Sequence, residues 1–130
     1  MADKSKPKIV VVDDSPSIRA LFERGTAQLD VELLMYETAD KSWNYLETNK
    51  PDLLFLDNKM RGKDGLIFLK ELRELPLHKA TAVVMISSKD YAQDRTIASQ
   101  LGAVEFMTKP MPIKAITDIV LKYVKTDSGK

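Results

Sequence analysis

Four groups of residues in this chain are of the type that handles phosphate and divalent cations. Asp13 and Asp14 end a β-branched run, KIVVV; Asp57 ends an apolar run, LLFL. Ser87 and Ser88 end TAVVMI, and Thr108 and Lys109 end VEFM. Gathered in one cleft, they would present three carboxylates, a hydroxyl and an ammonium. Close carboxylates repel one another and raise their own pKa values unless a cation is present. A divalent ion resolves that conflict. Mg²⁺ suits it, because it takes one or two carboxylates and completes its shell with water or phosphate oxygens. Lys109 adds a point charge for a phosphoryl oxygen, and Ser87 adds a hydroxyl donor. Taken singly, each group has a plainer role: an acidic pair before a helix is favoured by the helix dipole, Ser-Ser caps and Lys-Pro turns. Their shared place at strand ends is what singles them out.

The elements that must position these groups alternate along the chain. Strands are expected over Lys8–Val12, Val31–Tyr36, Leu53–Leu56, Thr81–Ile86 and Val104–Met107. The second of these ends near Glu37-Thr38. Helices are expected from Ser15-Pro16, over Asp40–Thr48, Leu66–Leu75 and Asp90–Leu101, and from Ile113 to Val124. Ser15 can cap the first helix, with Pro16 in its first turn. Gly102 reads as a helix stop. Ile113, Ile116, Ile119, Val120, Tyr123 and Val124 form a stripe of helical period. Continuously apolar strands imply a parallel sheet covered on both faces, and right-handed crossovers make it doubly wound α/β. Ligands of such a sheet sit beyond the carboxyl ends of its strands, where strand order reverses.

Composition narrows the function further. One domain fits 130 residues, with its core at about 8–124 and both ends, 1–7 and 126–130, expected to fray. The absence of Cys excludes a disulfide scaffold, a thiolate zinc site and a Cys nucleophile. The single His, His78, stands after Pro76 in an expected loop and reads as exposed. A net charge of +1 argues against an electrostatic nucleic-acid binder. No apolar run spans a membrane and MADKSKPK is no secretory signal, so a cytoplasmic setting is expected. VVDDSPSI contains no glycine, which weakens a dinucleotide or P-loop site. Trp43 reads as a packing anchor, the Met residues as filler, and Lys59 to Lys63 as chiefly a solvated loop.

VVVDDSPS, LLFLDNKMRGKDG, VVMISS and EFMTKP together resemble the receiver domain of two-component response regulators, in plan the single-domain, chemotaxis-type regulators. The resemblance runs from about Lys8 to Val124 and implies a five-stranded sheet of order 2-1-3-4-5. It implies that Asp57 accepts a phosphoryl group from a sensor histidine kinase or phosphotransfer protein. Asp14 and Asp57 would ligate Mg²⁺ directly, Asp13 largely through water, and the Lys59 backbone carbonyl would be a further ligand. Ser87 would be the switch hydroxyl, Lys109 would pair with a phosphoryl oxygen, and Lys109-Pro110 would be cis. Phe106 matches the switch aromatic, without the hydroxyl of the commoner Tyr. Arg61 stands where the family commonly has Pro after Met60. Lys59 and Lys89 occupy positions that tune phosphoryl lifetime, and slow self-dephosphorylation is expected.

The resemblance also implies a signalling domain rather than an enzyme, with only self-phosphorylation and self-dephosphorylation chemistry. Its output face would be the fourth helix, fifth strand and last helix, with Tyr91, Arg95, Phe106 and Lys114 as candidates. Without a partner, Tyr91 and Arg95 read as solvated helix surface. A downstream protein or an output domain would receive the signal, from a monomer or a phosphorylation-dependent dimer. Three rivals share features with this picture. A flavodoxin-like flavin or nucleotide binder lacks support in the acidic strand ends. An aspartyl-phosphate phosphatase would need a carboxylate where Lys59 stands. A docking module insensitive to phosphate would not need the intact site.

Overall fold

The computed structural model describes residues 6–125. The expected fraying therefore falls, for residues 1–5 and 126–130, outside the described residues. The Pro7 carbonyl accepts a hydrogen bond from the Glu32 N–H at 2.8 Å.

Five parallel strands form the main sheet: β1 (Lys8–Val12), β2 (Glu32–Tyr36), β3 (Leu53–Asp57), β6 (Val83–Ser87) and β7 (Glu105–Thr108), in the order β2-β1-β3-β6-β7. This is the doubly wound α/β sheet of order 2-1-3-4-5, with β6 and β7 as the fourth and fifth strands expected from sequence. β3 and β6 are buried along their whole length, which is why they read as unbroken apolar runs. The alternation of strand side chains sorts the core into two layers. Val10, Val12, Leu54, Leu56, Val83 and Met85 face α2 (Ala39–Leu46), α3 (Gly65–Glu74) and α4 (Ala92–Gln100). Ile9, Val11, Leu53, Phe55, Val84 and Ile86 face α1 (Pro16–Thr26) and α5 (Ile113–Tyr123). Among the described residues no helix is long and apolar enough to cross a membrane.

Helix starts and stops follow local chemistry. The Ser15 hydroxyl accepts from the Ile18 N–H, with Pro16 opening α1. The Thr38 hydroxyl caps α2, and the Asp64 carboxylate caps α3 through the N–H groups of Leu66 and Ile67. Gly102, at φ +83°, ends α4 as a left-handed stop. Trp43 packs edge-on against Phe68 at 5.5 Å, the anchor role expected of it.

Two expectations are corrected. His78 is not exposed but fully buried. The 3-10 turn Pro76–His78 tucks it inward, where Nε2 lies 2.6 Å from the Leu46 carbonyl and Nδ1 lies 2.8 Å from Thr81 Oγ1. Both ring nitrogens thus find partners, which removes the penalty of burying the ring. The stretch Lys59 to Lys63 is not merely a solvated loop. It folds into a short antiparallel ribbon of β4 (Lys59–Met60) and β5 (Lys63–Asp64), with Gly62 at φ +78° in its turn and Met60 buried.

At Gly25, α1 lies close against α5. A Cβ there would lie 2.7 Å from Ile116 Cγ2 and 3.0 Å from Ile116 Cβ. The Thr117 hydroxyl, donating to the Gly25 carbonyl at 2.6 Å, fixes that spacing. Overpacking costs about 1–3 kcal/mol, against about 1 kcal/mol that Ala gains over Gly within a helix. Gly25→Ala is therefore expected to lower stability by about 1 kcal/mol in urea unfolding; a stabilised variant would show that the helices separate freely.

Candidate functional site

The carboxyl ends of β1, β3, β6 and β7 deliver the side chains singled out from sequence to one place. Asp13 and Asp14 follow β1 directly, Asp57 ends β3, Ser87 ends β6 and Lys109 follows β7. One carboxylate oxygen from each of Asp13, Asp14 and Asp57 falls within 4.8 Å of the other two. Asp13 is fully buried and Asp57 is 3% exposed. Each acid is held by the backbone around it. The Ser15 N–H donates to Asp13 Oδ1 at 2.8 Å, and the Arg61 N–H donates to Asp14 Oδ2 at 3.0 Å. The Lys59 N–H donates to Asp57 Oδ1 at 3.3 Å. Arg19 clamps the Asp13 carbonyl at 2.8 Å, which ties α1 to the end of β1.

Lys109 closes the cluster. Its Nζ lies 2.9 Å from Asp13 Oδ2 and 3.1 Å from Asp57 Oδ1. The Lys109-Pro110 peptide bond is cis. The Lys109 N–H donates to the Ser87 carbonyl at 2.7 Å, joining the ends of β6 and β7. Burial opposes the charged ammonium, but the hydrogen bond and charge of Asp13, with those of Asp57, outweigh it and raise the Lys109 pKa. For Asp57 the balance goes the other way. Burial and then the charge of Asp13 push its pKa up to about 6, against the lowering by Lys109 and the Lys59 N–H. One ammonium thus leaves the buried acids undercompensated. That is the donor chemistry a hard divalent cation such as Mg²⁺ fits: oxygen ligands, converging and short of positive charge.

Ser87 is buried beside this cluster, its Oγ accepting from the Lys89 N–H at 3.1 Å. Lys59 and Lys89 are exposed and line a cavity of about 340 Å³ with Asn58, Ser87 and Ser88. Phe106 on β7 is half-buried, with the Arg95 guanidinium 4.8 Å from its ring centroid. Arg95 also donates to Asp90. Arg95 stays exposed on the helix surface, while its planar cation stacks on a ring and bonds a carboxylate together. Tyr91 is 58% exposed at the head of α4. Lys114 pairs with Asp118 on its own helix, at 2.7 Å.

Sequence reasoning missed Asn58, Gly65 and Arg73. Asn58 pairs with Asp94 at 3.1 Å, and nothing in the sequence links those positions. Asp64 caps α3, and a Cβ on Gly65 would meet the Asp57 and Asn58 backbone, a closeness that only the folded chain displays. Arg73 bonds four carbonyls of two loops, a role that only the folded chain displays.

Comparisons with known proteins agree with this geometry. The chain is 33% identical over 105 residues to the cyclic di-GMP phosphodiesterase response regulator RpfG of Xanthomonas campestris, covering 79% of this chain and 28% of that protein. It is 33% identical over 103 residues to the alkaline phosphatase synthesis transcriptional regulatory protein PhoP of Bacillus subtilis, covering 79% of this chain and 42% of that one. The chain thus spans well under half the length of these relatives. Among solved structures, chemotaxis protein CheY4 of Vibrio cholerae superposes with a TM-score of 0.84 at 19% identity, covering 92% of this chain and all of that one. The phosphorylated cyanobacterial phytochrome response regulator RcpA gives 0.84 at 21% identity, covering 95% of this chain and 100% of that one. These two establish the fold. The response regulator receiver domain matches residues 9–121, and this chain belongs to that family.

Proposed function

We propose that the chain accepts a phosphoryl group on Asp57 from a sensor histidine kinase or phosphotransfer protein and relays the event through α4, β7 and α5. The observation that carries this is the convergence of Asp13, Asp14 and Asp57, of which Asp13 and Asp57 are buried and bridged by the ammonium of Lys109. Asp57 Oδ attacks the phosphorus; an O–P bond forms as the N–P bond of a phosphohistidine breaks, its electron pair passing to the departing imidazole. Lys109 already touches the acceptor carboxylate and is placed to pair with a phosphoryl oxygen. Asp14, Asp57 and the Lys59 carbonyl would hold Mg²⁺ directly and Asp13 largely through water. When bound, the ion supplies positive charge for the phosphoryl oxygens.

The relay is a population shift. New charge and acceptor oxygens beside Ser87 and Lys109 would draw the Ser87 hydroxyl inward. Phe106 would follow it, and Tyr91, Arg95, Phe106 and Lys114 would form the surface that a downstream protein or output domain reads. α4 suits a movable part, since Ala98 is its one buried residue. The domain would then span 1–130 with a core at about 8–124, act as a signalling module rather than an enzyme, and work in the cytoplasm as a monomer or a phosphorylation-dependent dimer.

The test is incubation with Mg²⁺ and acetyl phosphate, read by intact mass. One phosphoryl adduct that needs Mg²⁺ and disappears in Asp57→Ala is expected; an adduct that persists in Asp57→Ala would overturn the assignment. Lys59 and Lys89 at the cavity mouth are expected to hinder the attacking water. Lys59→Asn should therefore lose its phosphoryl group several-fold faster than the parent when the decay is followed over time, whereas an unchanged or slower decay counts against that role.

A further inference from the structure

α4 is held at its two ends by different means. At its C-terminal end, Arg73 of α3 donates to the carbonyls of Leu101 at 2.8 Å and Gly102 at 3.2 Å. The same guanidinium bonds the carbonyls of His78 and Thr81, each at 2.8 Å. One rigid fork thus fixes that end to the loop before β6. The N-terminal end is looser. Tyr91 supplies no side-chain cap there. On the β7 side the Arg95 guanidinium lies over the Phe106 ring, and on the site side Asn58 Nδ2 donates to Asp94 Oδ2 at 3.1 Å across 36 positions of sequence.

Asn58 is the neighbour of Asp57, and its backbone is pinned from both sides. Its N–H donates to the Ile86 carbonyl and its own carbonyl accepts from the Gly65 N–H, both at 2.7 Å. Its side chain is buried, yet Oδ1 has no hydrogen-bond partner. A buried carboxamide satisfied on one side only is a weak hold, because the unmet acceptor offsets part of what the other bond contributes.

We propose that the Asn58–Asp94 hydrogen bond is a latch that keeps the N-terminal end of α4 in the unphosphorylated arrangement, and that α4 swings about the Arg73 clamp when it opens. The inference rests on the phosphoacceptor function proposed for Asp57. Ser87 Oγ accepts from the Lys89 N–H at 3.1 Å. A phosphoryl group that draws this hydroxyl away frees Lys89 and the segment 88–91, which leads straight into α4. Asn58, fixed to β6 and to the start of α3, does not follow. The Asn58–Asp94 bond therefore crosses from the fixed loop to the moving helix. By linkage, whatever free energy opens the latch is subtracted from the affinity for a phosphoryl mimic.

The test is the affinity for beryllium fluoride with Mg²⁺, by titration calorimetry, of the parent chain, Asn58→Ala, Asp94→Ala, their double variant and Asp94→Asn. Each alanine variant is expected to bind about fivefold more tightly than the parent. The double variant should gain no more than either single one, since one bond is lost in all three. Asp94→Asn, whose amide oxygen still accepts from Asn58, should stay near the parent. Asp94→Ala also removes an acidic group from the first turn of α4, but that loss alone predicts no gain in Asn58→Ala. Unchanged or weaker binding in either alanine variant, or gains that multiply in the double variant, would overturn the latch. A parent chain that binds no beryllium fluoride would overturn the phosphoacceptor function itself, and the latch with it.

Discussion

Asp57→Asn is expected to make the metal-free protein more stable at neutral pH, by on the order of 3 kcal/mol. Burial and the charge of Asp13 raise the Asp57 pKa from 3.8 to about 6. A raised carboxylate favours the folded state only while it is protonated. Its contribution is fully present below the unfolded value near 4 and is lost as pH rises through the folded value near 6. With EDTA present, the parent should therefore lose stability between pH 4 and pH 6. The asparagine variant should lack that decline, because it has no charge to bury at that position. Saturating Mg²⁺ should restore the parent at neutral pH, since a ligand that binds only the folded state stabilises it by mass action. Urea unfolding across this pH range, with and without Mg²⁺, measures all three effects. An asparagine variant less stable than the parent at pH 7 without metal would show that the acidic cluster is not in conflict.

Gly65→Ala is expected to cost about 3 kcal/mol or more. A Cβ at Gly65 would stand 2.1 Å from the Asp57 carbonyl oxygen, 2.7 Å from Asn58 Cα and 2.9 Å from Asn58 C. All three are backbone atoms, so no side chain can turn away to make room. Either the start of α3 or the end of β3 must shift, and the Gly65 N–H bond to the Asn58 carbonyl goes with it. Because the displaced carbonyl belongs to Asp57 itself, the chemistry should suffer as well as the fold. Misplacing a reacting group by about 1 Å can cost a hundredfold in rate. Phosphoryl uptake from acetyl phosphate should slow on that order even at temperatures where Gly65→Ala remains folded by circular dichroism. Parent-like stability and rate in this variant would show that the loop after Asp57 yields easily.

The sheet was legible because its strands are short, apolar and bounded by turn residues. The site was legible because each strand end carries its own polar residue, so KIVVV-DD, LLFL-D, TAVVMI-S and VEFM-TK could be aligned before any pairing was known. Ser15-Pro16 and Gly102 gave true helix boundaries for the same local reason. What stayed hidden depends on distant partners. His78 looks like a loop residue until the Leu46 carbonyl and Thr81 hydroxyl close around it. Lys59 to Lys63 looks like a solvated loop because a two-residue ribbon is too short for strand periodicity to register. Arg95 gains its stack on Phe106 only when α4 lies beside β7. Asn58 and Asp94, 36 residues apart, meet only in the folded chain.

Asp57, and neither Asp13 nor Asp14, is expected to carry the phosphoryl group. Reduction of the phosphorylated chain with borohydride tests it most directly, since an aspartyl phosphate is converted to homoserine at the residue that bore it. Peptide mass spectrometry should then find homoserine at position 57 and unaltered aspartate at 13 and 14. Homoserine at Asp13 or Asp14, or a phosphoryl group that borohydride leaves in place, would contradict the assignment.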